Sequence, residues 1–294
     1  MKDDFLHPLL DFLNEYNPSS ECEWGEWQIT PVTHGRNNRL FRAVCDVHDL
    51  VVKFTIRDDR NRAVREYDSL RVIQDAGLSI APMPVMCDKD RYELPVMVQT
   101  WHEGPVHGGP PEDDAAWQRF VEHYVAIQSI TEAGTGQILP DAIANTGTLE
   151  AVIEYHINLV SYIPEASRPA VLDTWLPRLK EMGHSAWPPP PRTLCRSDPN
   201  PLNMIRHTDG WMSVDWEYGG WGDPASDIGE VMTFPEYIEV PDERWEWFID
   251  TYCAHTKDEA MRNRIHTYRK ILTMDWVARF ARSTIYDSTR LPHR

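Results

Sequence analysis

The chain has 294 residues, with 29 Lys and Arg against 46 Asp and Glu, giving a formal net charge of −17. A hydrophobic content of 41% with 11% aromatics excludes a wholly disordered chain. The acidic balance argues against binding to nucleic acid or anionic membranes, both of which need clustered cations.

Nothing in the sequence points to export or membrane insertion. The start, Met1-Lys2-Asp3-Asp4-Phe5, lacks the apolar core of a signal peptide, and no segment approaches the roughly 20 apolar residues of a membrane span. The five cysteines are scattered and never form a C-x-x-C pair, so reduced thiols in a cytoplasmic protein are expected. The 12 histidines show no H-E-x-x-H spacing, and no metal is assigned to them.

The first hundred residues read mostly as strand. Trp27–Val32 leads into a polar turn over His34–Arg39, and Leu40–Val44 and Leu50–Phe54 follow as paired strands. A charged helix should come next, turning Val64, Leu70 and Ile73 inward and ending at Gly77. Met83–Met86 and Leu94–Val98 complete a small sheet. Gly104, Gly108, Gly109, Pro110 and Pro111 mark a break, after which Trp117, Phe120, Tyr124 and Ile127 recur at helical spacing. Pro188–Pro191 form a stiff extended linker. The division expected is a β-rich lobe over 1–101 and a mainly helical lobe over 102–294.

The chemistry concentrates in Cys195-Arg196-Ser197-Asp198-Pro199-Asn200-Pro201-Leu202-Asn203 and in Ser213-Val214-Asp215-Trp216-Glu217. A carboxylate, a carboxamide and a second carboxylate in this order suit phosphoryl transfer. Asp198 can accept the proton of an attacking hydroxyl, while Asn203 and Asp215 offer oxygen to Mg²⁺, a hard cation. Any one of these residues alone reads more simply as a turn cap. Lys53, on a strand, can neutralise phosphate oxygens, and Glu66, 13 residues later on a helix, can fix its direction. Taken singly they would be an edge-strand lysine and a solvated helix face.

Together these residues resemble the aminoglycoside phosphotransferase and choline kinase superfamily, which has a protein-kinase-like fold. The resemblance is carried by the Gly35–Arg42 turn, Val51-Val52-Lys53, Arg65-Glu66, the Asp198…Asn203 loop, Val214-Asp215-Trp216-Glu217 and Gly222-Asp223-Pro224-Ala225-Ser226-Asp227-Ile228-Gly229. It implies a bilobal α+β fold with a small β-rich N-terminal lobe, and an ATP- and Mg²⁺-dependent kinase acting on a small hydroxylated molecule. By the same resemblance Asp198 is the catalytic base, Asn203 and Asp215 are the Mg²⁺ ligands, and Lys53 contacts the phosphates with Glu66 as its partner. Gly35 lies in the phosphate-covering turn, Gln99-Thr100-Trp101 form the hinge that meets adenine through its backbone, and Asp227 braces the catalytic loop. Two departures stand out: Arg196 occupies the place of the family's usual His, and the phosphate turn is glycine-poor. They motivate an alternative, a kinase-like nucleotide-binding or regulatory module without turnover.

Acceptor selection belongs to the helical lobe. Residues 230–250 hold seven acids (Glu230, Glu236, Glu239, Asp242, Glu243, Glu246, Asp250) against one base, Arg244, with Trp245 and Trp247 among them. Acids beside aromatic faces can bind an ammonium group, a contact worth about 0.5–2 kcal/mol per aromatic. A solvated helix face over a tryptophan core explains the same pattern. Trp216, Glu217 and Tyr218, next to the reaction centre, are further candidates for contact with a cationic acceptor such as an amino alcohol or an aminoglycoside-like compound.

Overall fold

The structure is a computed structural model, which describes residues 5–32, 38–145, 147–182 and 187–290. Of 285–290 only the backbone is described, and Gly35, with most of the expected phosphate turn, lies outside the described residues. The chain divides into two compact units, 1–106 with 203–219, and 107–202 with 220–294.

The first unit opens with α1 (His7–Tyr16), which the strand-based reading did not anticipate although Leu9, Leu10 and Leu13 bury one helical face. Left-handed Asn17 ends it, its amide donating to Leu13 O at 3.1 Å. Strands β1 (Cys22–Trp24), β2 (Trp27–Val32), β3 (Arg39–Cys45) and β4 (His48–Phe54) follow, then α2 (Arg62–Asp75), β5 (Pro84–Asp88) and β6 (Val96–Thr100). They form one six-stranded antiparallel sheet in the order β1-β2-β3-β4-β6-β5. Because side chains alternate along a strand, Phe41, Val52, Phe54, Val96 and Val98 join the leucines of α1 in a closed core. Lys53 falls on the other parity, with Leu40 and Met97 as its register partners.

Helix α2 departs from the apolar stripe expected of it. Leu70 and Ile73 are buried, but so are Arg62, Arg65 and Glu66, whereas Val64 is only partly covered. Buried charge on a helix requires partners: Glu66 finds Lys53 of β4, while Arg62 and Arg65 find residues 217 and 219 of the same unit. There β8 (Met204–Arg206) pairs with β9 (Trp211–Ser213), once β7 (Thr193–Cys195) of the second unit has passed in the chain.

In the second unit β7 pairs antiparallel with β10 (Gly220–Gly222). Its helices are α3 (Asp114–Gln128), the single turn α4 (Glu132–Thr135), α5 (Leu149–Ser161), α6 (Ala170–Met182), α7 (Pro224–Thr233), α8 (Asp242–Cys253), α9 (Met261–Leu272) and α10 (Asp275–Arg290). Asp113 and Asp223 cap α3 and α7 through their carboxylates, satisfying first-turn amides. Trp117 and Phe120 of α3 meet Trp245 and Phe248 of α8 with ring centroids 5.4–6.2 Å apart, so Trp245 is a core residue. Among the described residues no helix is long and apolar enough to cross a membrane.

Candidate active site

Within the first unit the expected lysine constellation assembles. Lys53, on β4, is 4% exposed, and its Nζ stands 2.8 Å from Glu66 Oε2 on α2. Nζ also donates to Asp215 and lies 3.9 Å from Glu217 Oε2. Burial alone would strip a lysine of its proton, but Glu66, Asp215 and Glu217 outweigh it and hold Lys53 charged. Burial pushes the Glu66 carboxyl up to about 7 against the pull of Lys53.

The hairpin carries the two proposed metal ligands. Val214 N donates to Asn203 O at 2.9 Å, which extends the β8–β9 ladder by one pair and sets Asn203 across from the residue preceding Asp215. Asp215 takes a left-handed backbone, φ 63°, and keeps its side chain 36% exposed. Among the described residues no group of three or more His, Cys, Asp and Glu side chains is placed to hold a metal. The donors on hand here are the oxygens of Asp215 and Asn203. That donor set fits Mg²⁺, which takes one or two protein carboxylates together with substrate phosphates and water.

The segment after Asp215 differs from the sequence expectation. Trp216 is fully buried and ties Nε1 to Ser213 O at 3.0 Å, leaving it no surface for an acceptor. Glu217 is also buried: Arg62 of α2 donates to Oε1, and Asn38 Nδ2 donates to Oε2 at 3.3 Å. Burial raises the Glu217 carboxyl although Lys53 pulls it down. Tyr218 Oη accepts from Arg60 at 2.9 Å. All three candidates are therefore engaged inside the first unit. The arginines that hold Glu217 and Tyr218 went unnoticed in the sequence, where 155 residues separate Arg62 from Glu217.

The expected hinge continues the β4–β6 ladder. Thr100 N donates to Met83 O at 3.0 Å and Trp101 N to Asp49 O at 2.9 Å, so both amides serve the sheet. Gln99 Oε1 and Trp101 Nε1, by contrast, are buried without a partner in the structure. The Arg42 guanidinium, gripped by Asp49 at 2.7–2.9 Å, lies 4.6 Å from the Trp101 ring centroid.

In the second unit, the Asp198 loop leaves β7 through Ser197, whose φ is 51°. Asp227, on α7, receives Ser197 N at 2.8 Å on Oδ1, and Arg196 N at 3.2 Å and Gln128 Nε2 at 3.3 Å on Oδ2. Burial raises this carboxyl, and the two amides oppose that shift. Asn200 N donates to Asp198 Oδ1 at 3.3 Å. Asp223 binds Arg264 through both carboxylate oxygens at 3.0–3.1 Å, and Asn145 bonds its backbone. Of the seven acids over 230–250, Asp242, Glu246 and Asp250 pair with arginines of α9. Glu230 behaves differently: burial pushes it up to about 8, with Arg279 opposing and Asp227, Asp275 and Asp198 adding to the rise.

A model of the phosphotransferase enzyme family matches residues 28–264. The chain belongs to the phosphotransferase enzyme family. Protein LicA of Haemophilus influenzae (strain ATCC 51907 / DSM 11121 / KW20 / Rd) is 34% identical over 62 residues, which make up 21% of this chain and 22% of that relative. The matched segment thus spans about a fifth of the curated relative's length. Among solved structures, a choline/ethanolamine kinase family protein from Mesorhizobium loti is 20% identical, with a TM-score of 0.66 over 99% of this chain and 90% of that one. Choline kinase LicA from Streptococcus pneumoniae is 15% identical, with a TM-score of 0.59 over 99% and 94%. Spectinomycin phosphotransferase APH(9)-Ia, solved with ADP and spectinomycin, is 11% identical, with a TM-score of 0.59 over 97% and 94%. These likenesses establish the bilobal α+β kinase-like fold that the motifs implied.

Proposed function

We propose that the protein is an ATP- and Mg²⁺-dependent kinase that transfers the γ-phosphoryl group to a hydroxyl of a cationic small molecule. The observation that carries this reading is the buried Lys53, held by Glu66 and joined to Asp215. A buried ammonium among carboxylates is costly to assemble for stability alone. It suits a site where anionic phosphates arrive.

In this reading Lys53 neutralises the α- and β-phosphates and Glu66 fixes its direction. Asp215 and Asn203 would hold Mg²⁺, which when bound shields phosphate charge and orients the transferring group. The unpartnered Gln99 Oε1 and Trp101 Nε1 offer an acceptor and a donor to the adenine edge. Asp198 takes the acceptor's hydroxyl proton as the new P–O bond forms, and Asp227 braces its loop through the Arg196 and Ser197 amides.

The cationic preference rests on Glu230. Burial, with Asp227, Asp275 and Asp198 nearby, raises its carboxyl against the pull of Arg279, and an ammonium bound beside it would favour the anion. Proteins of like fold include a choline kinase and a phosphotransferase solved with GDP and kanamycin, and this reading carries a cationic alcohol over to the present chain.

The test is ADP release by the purified protein across a panel of amino alcohols, aminoglycosides, neutral sugars and nucleosides. Turnover confined to cationic alcohols is expected. Turnover with neutral acceptors alone overturns the preference. No turnover together with no Mg-ATP binding overturns the kinase and leaves a module without activity.

A further inference from the structure

The start of α2 grips most of the segment that follows the proposed metal ligand. Arg60 Nη1 donates to Tyr218 Oη at 2.9 Å, and its guanidinium lies 5.3 Å from that ring's centroid. Arg62 donates through Nη1 to Glu217 and through Nε to Asp58 at 2.9 Å. Arg65 Nη1 donates to Gly219 O at 2.8 Å. Glu66 holds Lys53, which reaches Asp215. Four of the five residues from Asp215 to Gly219 are therefore tied, directly or through Lys53, to residues 60–66. The fit at the far end is close, since a Cβ at Gly219 would lie 2.9 Å from Ser69 Oγ and 3.2 Å from Trp216 O.

Arg62 is buried, with Nη1 spent on Glu217 and Nε on Asp58, so its fork is engaged inside the fold. Its partner Glu217 is a buried carboxylate only 3.9 Å from Lys53 Nζ. Without Arg62 that carboxylate would turn to the nearest cation, Lys53, and draw it from Glu66 and Asp215. We propose that Arg62 is a positioning residue for nucleotide use: by holding Glu217 it fixes the segment carrying Asp215 and reserves Lys53 for phosphate. The inference rests on the nucleotide site proposed above, and goes beyond it by assigning a role to residues that touch neither nucleotide nor acceptor.

The experiment is a cycle of Arg62→Met, Glu217→Gln and the double variant, with Arg62→Lys as the conservative change. Mg-ADP affinity is read by calorimetry, KM for ATP and for acceptor by kinetics, and folding by thermal denaturation. Loss of a group that orients a ligand typically costs about 10–100-fold. Arg62→Met is expected to weaken Mg-ADP by about that factor and to raise KM for ATP while leaving the acceptor KM unchanged. Adding Glu217→Gln should return the affinity to within about threefold of native, because the competing charge is gone. Native Mg-ADP affinity in a folded Arg62→Met protein, or a double variant no better than Arg62→Met, overturns the proposal. Should Arg62→Met not fold, Arg62→Gln, which removes the charge but keeps polar reach, is read instead, and native affinity in that folded variant likewise overturns it; Arg62→Lys, which keeps the charge without the fork, is expected to fall between native and Arg62→Met. A native chain that binds no Mg-nucleotide overturns the site itself and this role with it.

Discussion

Lys53 Nζ and Glu66 Oε2, 13 residues apart in the chain and on different elements, meet at 2.8 Å with both side chains at most 5% exposed. Removing the cation leaves carboxylates buried without their partner, a loss that typically costs about 3–5 kcal/mol. Lys53→Met should therefore lower both stability and phosphoryl transfer. Adding Glu66→Gln should restore much of the melting temperature but none of the rate. Recovery of both in the double variant would show that Lys53 serves the fold alone.

Asp198 and Asp215 should separate by what they abolish. Asp198→Ala is expected to lower turnover by about 10²–10⁴-fold while nucleotide affinity and folding stay native. Asp215→Asn keeps a residue that tolerates the left-handed backbone yet removes the charge, so Mg²⁺-dependent nucleotide binding should vanish. Steady-state rates and a magnesium titration check the two, and near-normal turnover or unchanged binding would remove the respective assignment.

Glu230 supplies a pH dependence. Its carboxyl is raised to about 8 by burial, so it is protonated below that pH and becomes an anion as pH rises through it. A permanently charged quaternary-ammonium alcohol should accordingly show a falling KM between about pH 7 and 9. Glu230→Gln should flatten that profile. The stability sign runs the other way: a raised carboxyl favours the fold below its unfolded value, and that contribution is lost as pH climbs through about 8. A KM that ignores pH in the native protein would remove Glu230 from the acceptor site.

Asp227 and Asp223 are predicted to act on the fold before the chemistry. Arg264→Met strands the buried Asp223 carboxylate, for which about 3–5 kcal/mol is typical. At this chain length each kcal/mol corresponds to roughly 2–4 °C in melting temperature. Asp227→Ala instead frees the Arg196 and Ser197 amides and should cost both stability and rate. Thermal denaturation beside rate measurement separates the cases: Arg264→Met should move the first far more than the second.

The strands of the first unit were legible because alternation is a local signal: Phe41, Val52 and Phe54 announce the closed face within a few residues of each other. Lys53, Glu66, Asp198, Asn203 and Asp215 were legible as types in an order, without any distance. What the sequence concealed is non-local. Arg62 carried no signal of its own and Arg65 entered only beside Glu66 in the resemblance, and nothing near them says that they bond residues 217 and 219. The acids of α8 looked like an acceptor site because their counterions, Arg262 and Arg269, lie on the next helix. Helix α1 was missed for a different reason, since its leucines matter only against a sheet that begins after it.

Three residues outside glycine with left-handed backbone stand at points of the proposed site: Asn61 directly before Arg62, Ser197 directly before Asp198, and Asp215 itself. Asn and Asp adopt that region at little cost, whereas for serine it is disfavoured by roughly 1–2 kcal/mol. The sharp bends that present these side chains thus draw unequally on the stability of the fold, most at Ser197, which two carboxylate-bound amides hold in place. A drifting sequence would find relief most easily there, by glycine, which takes the bend freely and would loosen the loop carrying Asp198, the proposed base. Ser197 is therefore the position where robustness and activity are set against each other.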